Sequence, residues 1–169
     1  MKQVDVYELP FNKSLFEKMN RDWMLVTAGT TARCNPMTAS WGGLGVLWGR
    51  NVATVYIRPE RYTFSFIERE PYFSIAFFGK EYRAAMNLCG TKSGRDIDKV
   101  RECGFTPAAG REGGVYFAEA EIALVCKKIY ADDIRLENMV GLDPEQYYGD
   151  HGGVHRLFIG EIIEAHCKE

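Results

Sequence analysis

Cysteine is sparse and unpatterned: Cys34, Cys89, Cys103, Cys126 and Cys167 are five in number, with no CxxC among them. An odd, scattered set excludes a disulfide framework and reads as free thiols in a reducing cytoplasm. Histidine is sparser still, and the nearest pair, His151 and His155, lies in a glycine-rich segment rather than on a helix, so no metal site is expected. The net charge is −2 with both signs interspersed, which leaves no basic field for nucleic acid. No stretch approaches the roughly 20 apolar residues that a membrane span needs. Met1–Asp5 has no apolar run behind a charged tip, so no signal peptide is expected and a cytoplasmic location is. The sequon Asn12-Lys13-Ser14 carries no meaning without export. Motifs of several chemistries are missing. There is no GxSxG elbow. Gly90-Thr91-Lys92-Ser93-Gly94 lacks the GK[ST] ending of a P-loop, and Gly43-Leu44-Gly45 would need a glycine where Trp48 stands. No paired carboxylate or activated nucleophile stands out, so no side chain is expected to act as general acid or base.

What is present is an ordinary globular composition, 46% hydrophobic and 26% charged over 169 residues, which predicts one domain spanning residues 1–169. Aromatics reach 13%, which fits either a β-rich core or a flat ligand packed on rings. Strands are predicted over Trp23–Ala28, Thr38–Trp48, Asn51–Arg58, Tyr72–Phe78, Val115–Ala118, Glu121–Tyr130 and His155–Ala165. Glu121–Tyr130 alternates, with Ile122, Leu124 and Cys126 on one face. The last run is apolar on both faces, so it is central or packed at an interface. Helical turns are predicted over Leu15–Met19, Tyr62–Glu68, Glu81–Leu88 and Asp96–Cys103. Strands outnumber helices and no βαβ alternation appears. The expected fold is mainly β, an antiparallel barrel with a few peripheral helices.

Three segments carry chemistry: Asn35-Pro36-Met37-Thr38-Ala39-Ser40-Trp41, Arg58-Pro59-Glu60-Arg61-Tyr62-Thr63 and Gly90-Thr91-Lys92-Ser93-Gly94-Arg95-Asp96. With the closing His155-Arg156-Leu157-Phe158-Ile159-Gly160-Glu161-Ile162, their order and spacing resemble the flavin reductase-like family, flavoredoxins included. The match runs from about Trp23 to Ala165. The resemblance implies a split β-barrel that holds FMN without a covalent bond, pairs as a homodimer with FMN at the interface, and takes electrons from NAD(P)H stacked directly on the flavin or from a redox protein.

The residues suit such a ligand. A phosphate dianion wants charge-assisted donors and a helix N-terminus. Arg58 precedes a proline and is held extended, Arg61 and Thr63 open the next helix, and Lys92 and Ser93 add a point charge and a hydroxyl on a turn. Taken alone, Arg58, Arg61 and Lys92 also fit ordinary surface charge, and Thr63 fits a helix cap. The resemblance lays Met37, Thr38, Ala39, Ser40 and Trp41 along the pyrimidine edge of the ring, with backbone groups offered to it. Asn35 can give and accept through its amide. Trp41 walls the ring or is a plain core tryptophan. His155 lies near the flavin by resemblance, donating as a neutral imidazole or stabilising negative charge as an imidazolium, or else it is bonded to backbone at a strand end. The spacing leaves open whether His151 or His155 takes that place, and His166 is expected at the surface. The dimer's own hints are the final strand and the aromatics Trp48, Phe77 and Phe78. The competing readings are an NAD(P)H-dependent flavin reductase, an electron-carrier module, and a flavin-free barrel for another ligand.

Overall fold

The structure is a computed structural model that describes residues 1–149 and 152–168. In chain order its strands are β1 (Lys2–Val4), β2 (Met24–Gly29), β3 (Cys34–Ala39), β4 (Gly42–Leu47), β5 (Arg50–Ile57), β6 (Tyr72–Phe77), β7 (Pro107–Ala109), β8 (Val115–Phe117), β9 (Ile122–Asp133) and β10 (Arg156–Cys167). Its helices are α1 (Leu15–Glu17), α2 (Tyr62–Arg69), α3 (Arg83–Thr91), α4 (Lys99–Glu102) and α5 (Glu145–Tyr148).

One antiparallel sheet runs β3-β2-β6-β9-β10-β5-β4, with β1 also on β10. β3 and β4 stand at opposite ends of this path, yet only Ser40 and Trp41 separate them in the chain. The sheet must therefore curl until its ends meet, which makes a split barrel with the seam beside Ser40–Trp41. The expected single strand Thr38–Trp48 is thus two strands and a corner. Pro36 explains why β3 can end the path: proline lacks the N–H that a central strand needs, and an edge does not require it.

The barrel core holds Met24, Val26, Val55, Ile57, Phe73, Ile75, Phe77, Leu124 and Phe158, and α2 adds Phe66 and Ile67. Each such side chain stabilises the fold by about 1.5–3 kcal/mol. A second cluster outside the sheet gathers Leu25, Ala76, Phe78, Met86, Cys89, Phe105, Phe117 and Ala123 under α3 and β8. Ile122, Leu124 and Cys126 share the face of β9 that meets the barrel core, as expected, while Ala123 meets the outer cluster, so Ile122–Cys126 is buried throughout. The same layers enclose Phe77 and Phe78, which are core residues and offer nothing to a partner. Trp48 is 66% exposed at the tip of the β4–β5 turn, where its ring approaches Tyr130 at 6.4 Å.

β10 is central, paired to both β9 and β5, as its two apolar faces require. Its extension to Cys167 corrects the placement of His166. β1 pairs at Gln3↔His166 and covers it, leaving the residue 7% exposed with its ring 4.4 Å from Tyr116. All five cysteines are free, including Cys89 and Cys103 with sulfurs 3.7 Å apart. Among the described residues no helix is long and apolar enough to cross a membrane, and no cluster of His, Cys, Asp and Glu could hold a metal ion.

Candidate functional site

At the seam of the barrel lies a cavity of about 430 Å³. It is walled by the Met37–Trp41 segment, by Trp23, Tyr56 and His155, and by one face of α3 carrying Met86, Asn87, Gly90 and Thr91. A second cavity of about 250 Å³ adjoins it and shares Arg61, Gly90 and Thr91. Glu60, Tyr62, Thr63, Lys92, Ser93 and Lys99 complete the smaller one. At the neck the helix comes close to the strand: a Cβ on Gly90 would sit 3.4 Å from Thr38 Cβ.

The larger cavity offers a backbone edge. Lys99 Nζ donates to the Pro36 carbonyl at 3.1 Å, so that carbonyl turns away from β2. Alternate residues of an antiparallel strand share that orientation. Thr38 therefore also turns its backbone N–H and C=O off the free edge, on the side where α3 packs. The Thr38 hydroxyl donates to the Met86 carbonyl and fastens the helix there. The Trp41 ring packs on the His155 ring, with centroids 4.7 Å apart. His155 Nδ1 lies 3.3 Å from the Tyr148 hydroxyl. Burial, helped by the Arg58 charge and opposed by Glu60, lowers the His155 pKa to about 4. The imidazole is thus neutral near pH 7, which excludes the imidazolium alternative for the protein by itself.

Trp23, on the far wall, has φ 70° and ψ 164°. That region is essentially reserved for glycine and costs a tryptophan about 1–3 kcal/mol. A π-helical turn over Lys18–Asp22 leads into it, and the Arg83 guanidinium sits 3.4 Å above its ring. The surroundings over-determine this conformation, which fixes the indole as a wall.

The smaller cavity is cationic. Lys99 is 4% exposed, and its ammonium donates to the carbonyls of Pro36 and Cys89, the latter at 2.9 Å. Arg61 Nη2 donates to the Gly90 carbonyl at 3.2 Å. Neither cation has a carboxylate partner among the described residues. Burial pushes both pKa values down, and the Arg61 charge adds to the effect on Lys99. Arg61 also occupies the N-cap of α2, and no side chain caps that helix. Two desolvated cations beside an uncapped helix start form a setting that an anion would relieve.

The structure distributes the expected residues unevenly. Met37, Thr38, Ala39, Ser40, Trp41, Arg61 and His155 line the larger cavity; Arg61, Thr63, Lys92 and Ser93 line the smaller. Asn35 lines neither. Its buried amide donates to the Thr63 hydroxyl at 2.7 Å, bracing β3 against α2, so Thr63 supports the cleft from inside rather than capping the helix. Arg58 also lines neither, because Nη2 donates to the Tyr147 carbonyl at 3.0 Å and the guanidinium lies 5.5 Å from the Tyr148 ring centre. His151 lies outside the described residues.

Sequence reasoning missed Lys99 and the face of α3. The latter had a signal: Arg83, Met86, Asn87, Gly90 and Thr91 recur at i, i+3, i+4, i+7 and i+8. Lys99 had none, sitting in a charged run that reads as solvated.

This is an antiparallel split barrel with a cavity at its seam and an adjoining cleft lined by Arg61, Lys92 and Lys99. A profile of the flavin reductase like domain matches residues 16–169, and the chain belongs to that family. Among solved structures, the flavoredoxin of Methanosarcina acetivorans is similar at 21% identity, with a TM-score of 0.70 over 88% of this chain and 69% of that one. The flavoredoxin of Desulfovibrio vulgaris is 25% identical, with a TM-score of 0.68 over 93% of this chain and 76% of that one. An NADH:FAD oxidoreductase of Streptomyces globisporus, in complex with NAD and FAD fragments, is 18% identical, with a TM-score of 0.63 over 87% and 74%. No curated protein sequence matches the chain.

Proposed function

We propose that this protein is an oxidoreductase that holds FMN without a covalent bond and passes reducing equivalents from NAD(P)H through it. The observation that carries the reading is the junction of the two cavities at Arg61, Gly90 and Thr91, a ring-sized space opening onto a cleft with two cations that lack carboxylates. FMN matches that division, having a planar tricycle at one end and a phosphate dianion at the other. The group supplies the redox chemistry when bound, accepting two electrons and a proton from a nicotinamide and releasing them to an acceptor. The chain's own residues bind and orient. Lys99, Arg61, Lys92 and Ser93 hold the phosphate, the free edge at Thr38 meets the polar rim of the ring, and Trp41 walls it. His155, 3.3 Å from the Tyr148 hydroxyl, is a hydrogen-bonding neighbour of the ring.

The exposed Val46 and Trp48 on the β4–β5 hairpin fit contact with a second copy, and sedimentation velocity tests for the homodimer. The unbonded Cys89–Cys103 pair fits a reducing cytoplasm.

The test of the cofactor is a visible spectrum after gel filtration. Flavin absorption that stays with the protein supports the reading, and a colourless protein that binds no added FMN overturns it. Anaerobic NADH or NADPH should then bleach the flavin within seconds. Bleaching by dithionite alone replaces the reductase with an electron carrier served by a redox protein.

A further inference from the structure

The face of α3 that carries Arg83, Met86, Asn87, Gly90 and Thr91 does more than wall two cavities. Gly90 and Thr91 belong to both cavities already described, and Met86 to the larger of them and to a third, of about 640 Å³, at the helix N-terminal end. From Arg83 to Thr91 the helix rises about 12 Å. The three spaces therefore follow one another along its axis: the anion cleft at the C-terminal end, the ring cavity in the middle, and this third cleft beyond Met86. A phosphate at the C-terminal end has no use for the opposite end, so the third cleft is free for whatever meets the ring.

Its charge favours anions in a protein whose net charge is −2. Two of its carboxylates are engaged, Asp22 with Lys13 at 3.0 Å and Glu121 with Lys18 at 2.9 Å. The third, Glu81, turns back over Gly79. Arg21, Lys80 and Arg83 have no carboxylate partner among the described residues. Arg83 is held in place, donating to the Arg21 carbonyl at 2.9 Å while its guanidinium covers Trp23, a wall of the ring cavity. A planar guanidinium fixed by stacking is a preorganised receptor for a phosphate, with less freedom to lose on binding than a loose lysine.

We infer that the third cleft binds the phosphorylated adenosine half of a nicotinamide nucleotide and selects the donor with a 2′-phosphate, so that NADPH is preferred to NADH. The inference rests on the reductase reading above. Both nucleotides carry the diphosphate, but only NADPH brings the further dianion that Arg21, Lys80 and Arg83 can hold. The volume lies within the usual range for small-molecule sites.

The experiment uses flavin-loaded protein titrated with adenosine 2′,5′-bisphosphate and with adenosine 5′-monophosphate, followed by tryptophan fluorescence. The bisphosphate should saturate at a concentration at least tenfold lower, with an advantage that shrinks at high salt. In the double variant Arg21→Ala/Lys80→Ala, whose two side chains are exposed, that advantage should vanish while flavin content and the unfolding midpoint hold. Anaerobic reduction by NADPH should outpace reduction by NADH at least tenfold in the parent and lose most of that margin in the variant. Equal binding of the two probes, or an advantage that survives the double substitution, overturns the inference. A bisphosphate preference in protein that neither nucleotide reduces upholds the cleft and rejects the reductase reading. The same titration on protein that retains no flavin decides the cleft separately from the cofactor.

Discussion

Lys99 Nζ lies 3.1 Å from the Pro36 carbonyl and 2.9 Å from the Cys89 carbonyl, so one buried ammonium ties the free edge of β3 to the C-terminal half of α3. The two elements are the walls between which a ring would slide. The same ammonium lines the anion cleft, so occupation of that cleft and the spacing of the ring walls share one side chain.

Lys99→Met should weaken FMN binding roughly 10- to 100-fold, the equivalent of about 1.5–3 kcal/mol for one charge-assisted contact. Riboflavin, which lacks the phosphate, should lose little. Fluorescence titration of the apoprotein with both flavins gives the two ratios. Equal losses would show that Lys99 only braces β3 against α3.

The pH dependence of stability should carry the signature of His155. The unfolded chain takes up a proton near the ordinary histidine value of 6.5, while the folded protein resists protonation down to about 4. Between those values the unfolded state binds more protons, so stability falls as pH drops from 6.5 toward 4 and levels off below. The ring is half-buried, and after allowance for solvent screening the loss is on the order of 1 kcal/mol. Urea denaturation at pH 7 and pH 4.5 measures it. His155→Gln should flatten the difference, and an unchanged slope would assign the acid sensitivity to other groups.

β10 passes tightly over β6 and β9 at Gly160, where a Cβ would lie 2.6 Å from the Phe73 ring and 2.7 Å from Cys126 Cβ. Gly160→Ala should therefore cost about 1–3 kcal/mol through overpacking. Gly43, whose added Cβ meets nothing within 4 Å, is the control. Chemical denaturation of both variants decides it. Pairing Gly160→Ala with Phe73→Leu should recover part of the loss, because the smaller side chain clears the contact.

The strands were legible because period-2 and both-faces-apolar patterns report burial directly. Arg50–Ile57, Tyr72–Phe77 and Arg156–Cys167 fall within a few residues of their expected limits. The corner at Ser40–Trp41 was not, because nothing local distinguishes a glycine-rich strand from two strands that meet only when a sheet closes. Among the site residues, Ser40, Trp41 and His155 follow from motif order. Asn35 and Arg58 fall outside both cavities for one reason: which way a side chain turns depends on the element packed over it, here α2 for Asn35 and the Tyr147–Tyr148 segment for Arg58. Lys99 was hidden because burial of a lysine depends on chain segments remote in sequence.

The contrast between Arg61 and Arg58 is the sharpest check on where an anion would sit. The two lie three residues apart on the same connection, and both are arginines a phosphate could attract. Arg61 projects between the cavities with its guanidinium on the Gly90 carbonyl, whereas Arg58 reaches the Tyr147 carbonyl and the Tyr148 ring. Arg61→Ala should cut FMN affinity roughly 10- to 100-fold, from the loss of a desolvated charged contact. Arg61→Lys, which keeps the charge but not the planar fork, should fall between. Arg58→Ala should cost a few-fold at most and should instead speed proteolysis near Glu145–Tyr148, since it removes a tie on that segment. Flavin retention on gel filtration and limited proteolysis report the two effects separately. If Arg58→Ala released FMN as readily as Arg61→Ala, the dianion would belong beside Tyr148, and the cleft at Lys92 and Lys99 would have no part in holding it.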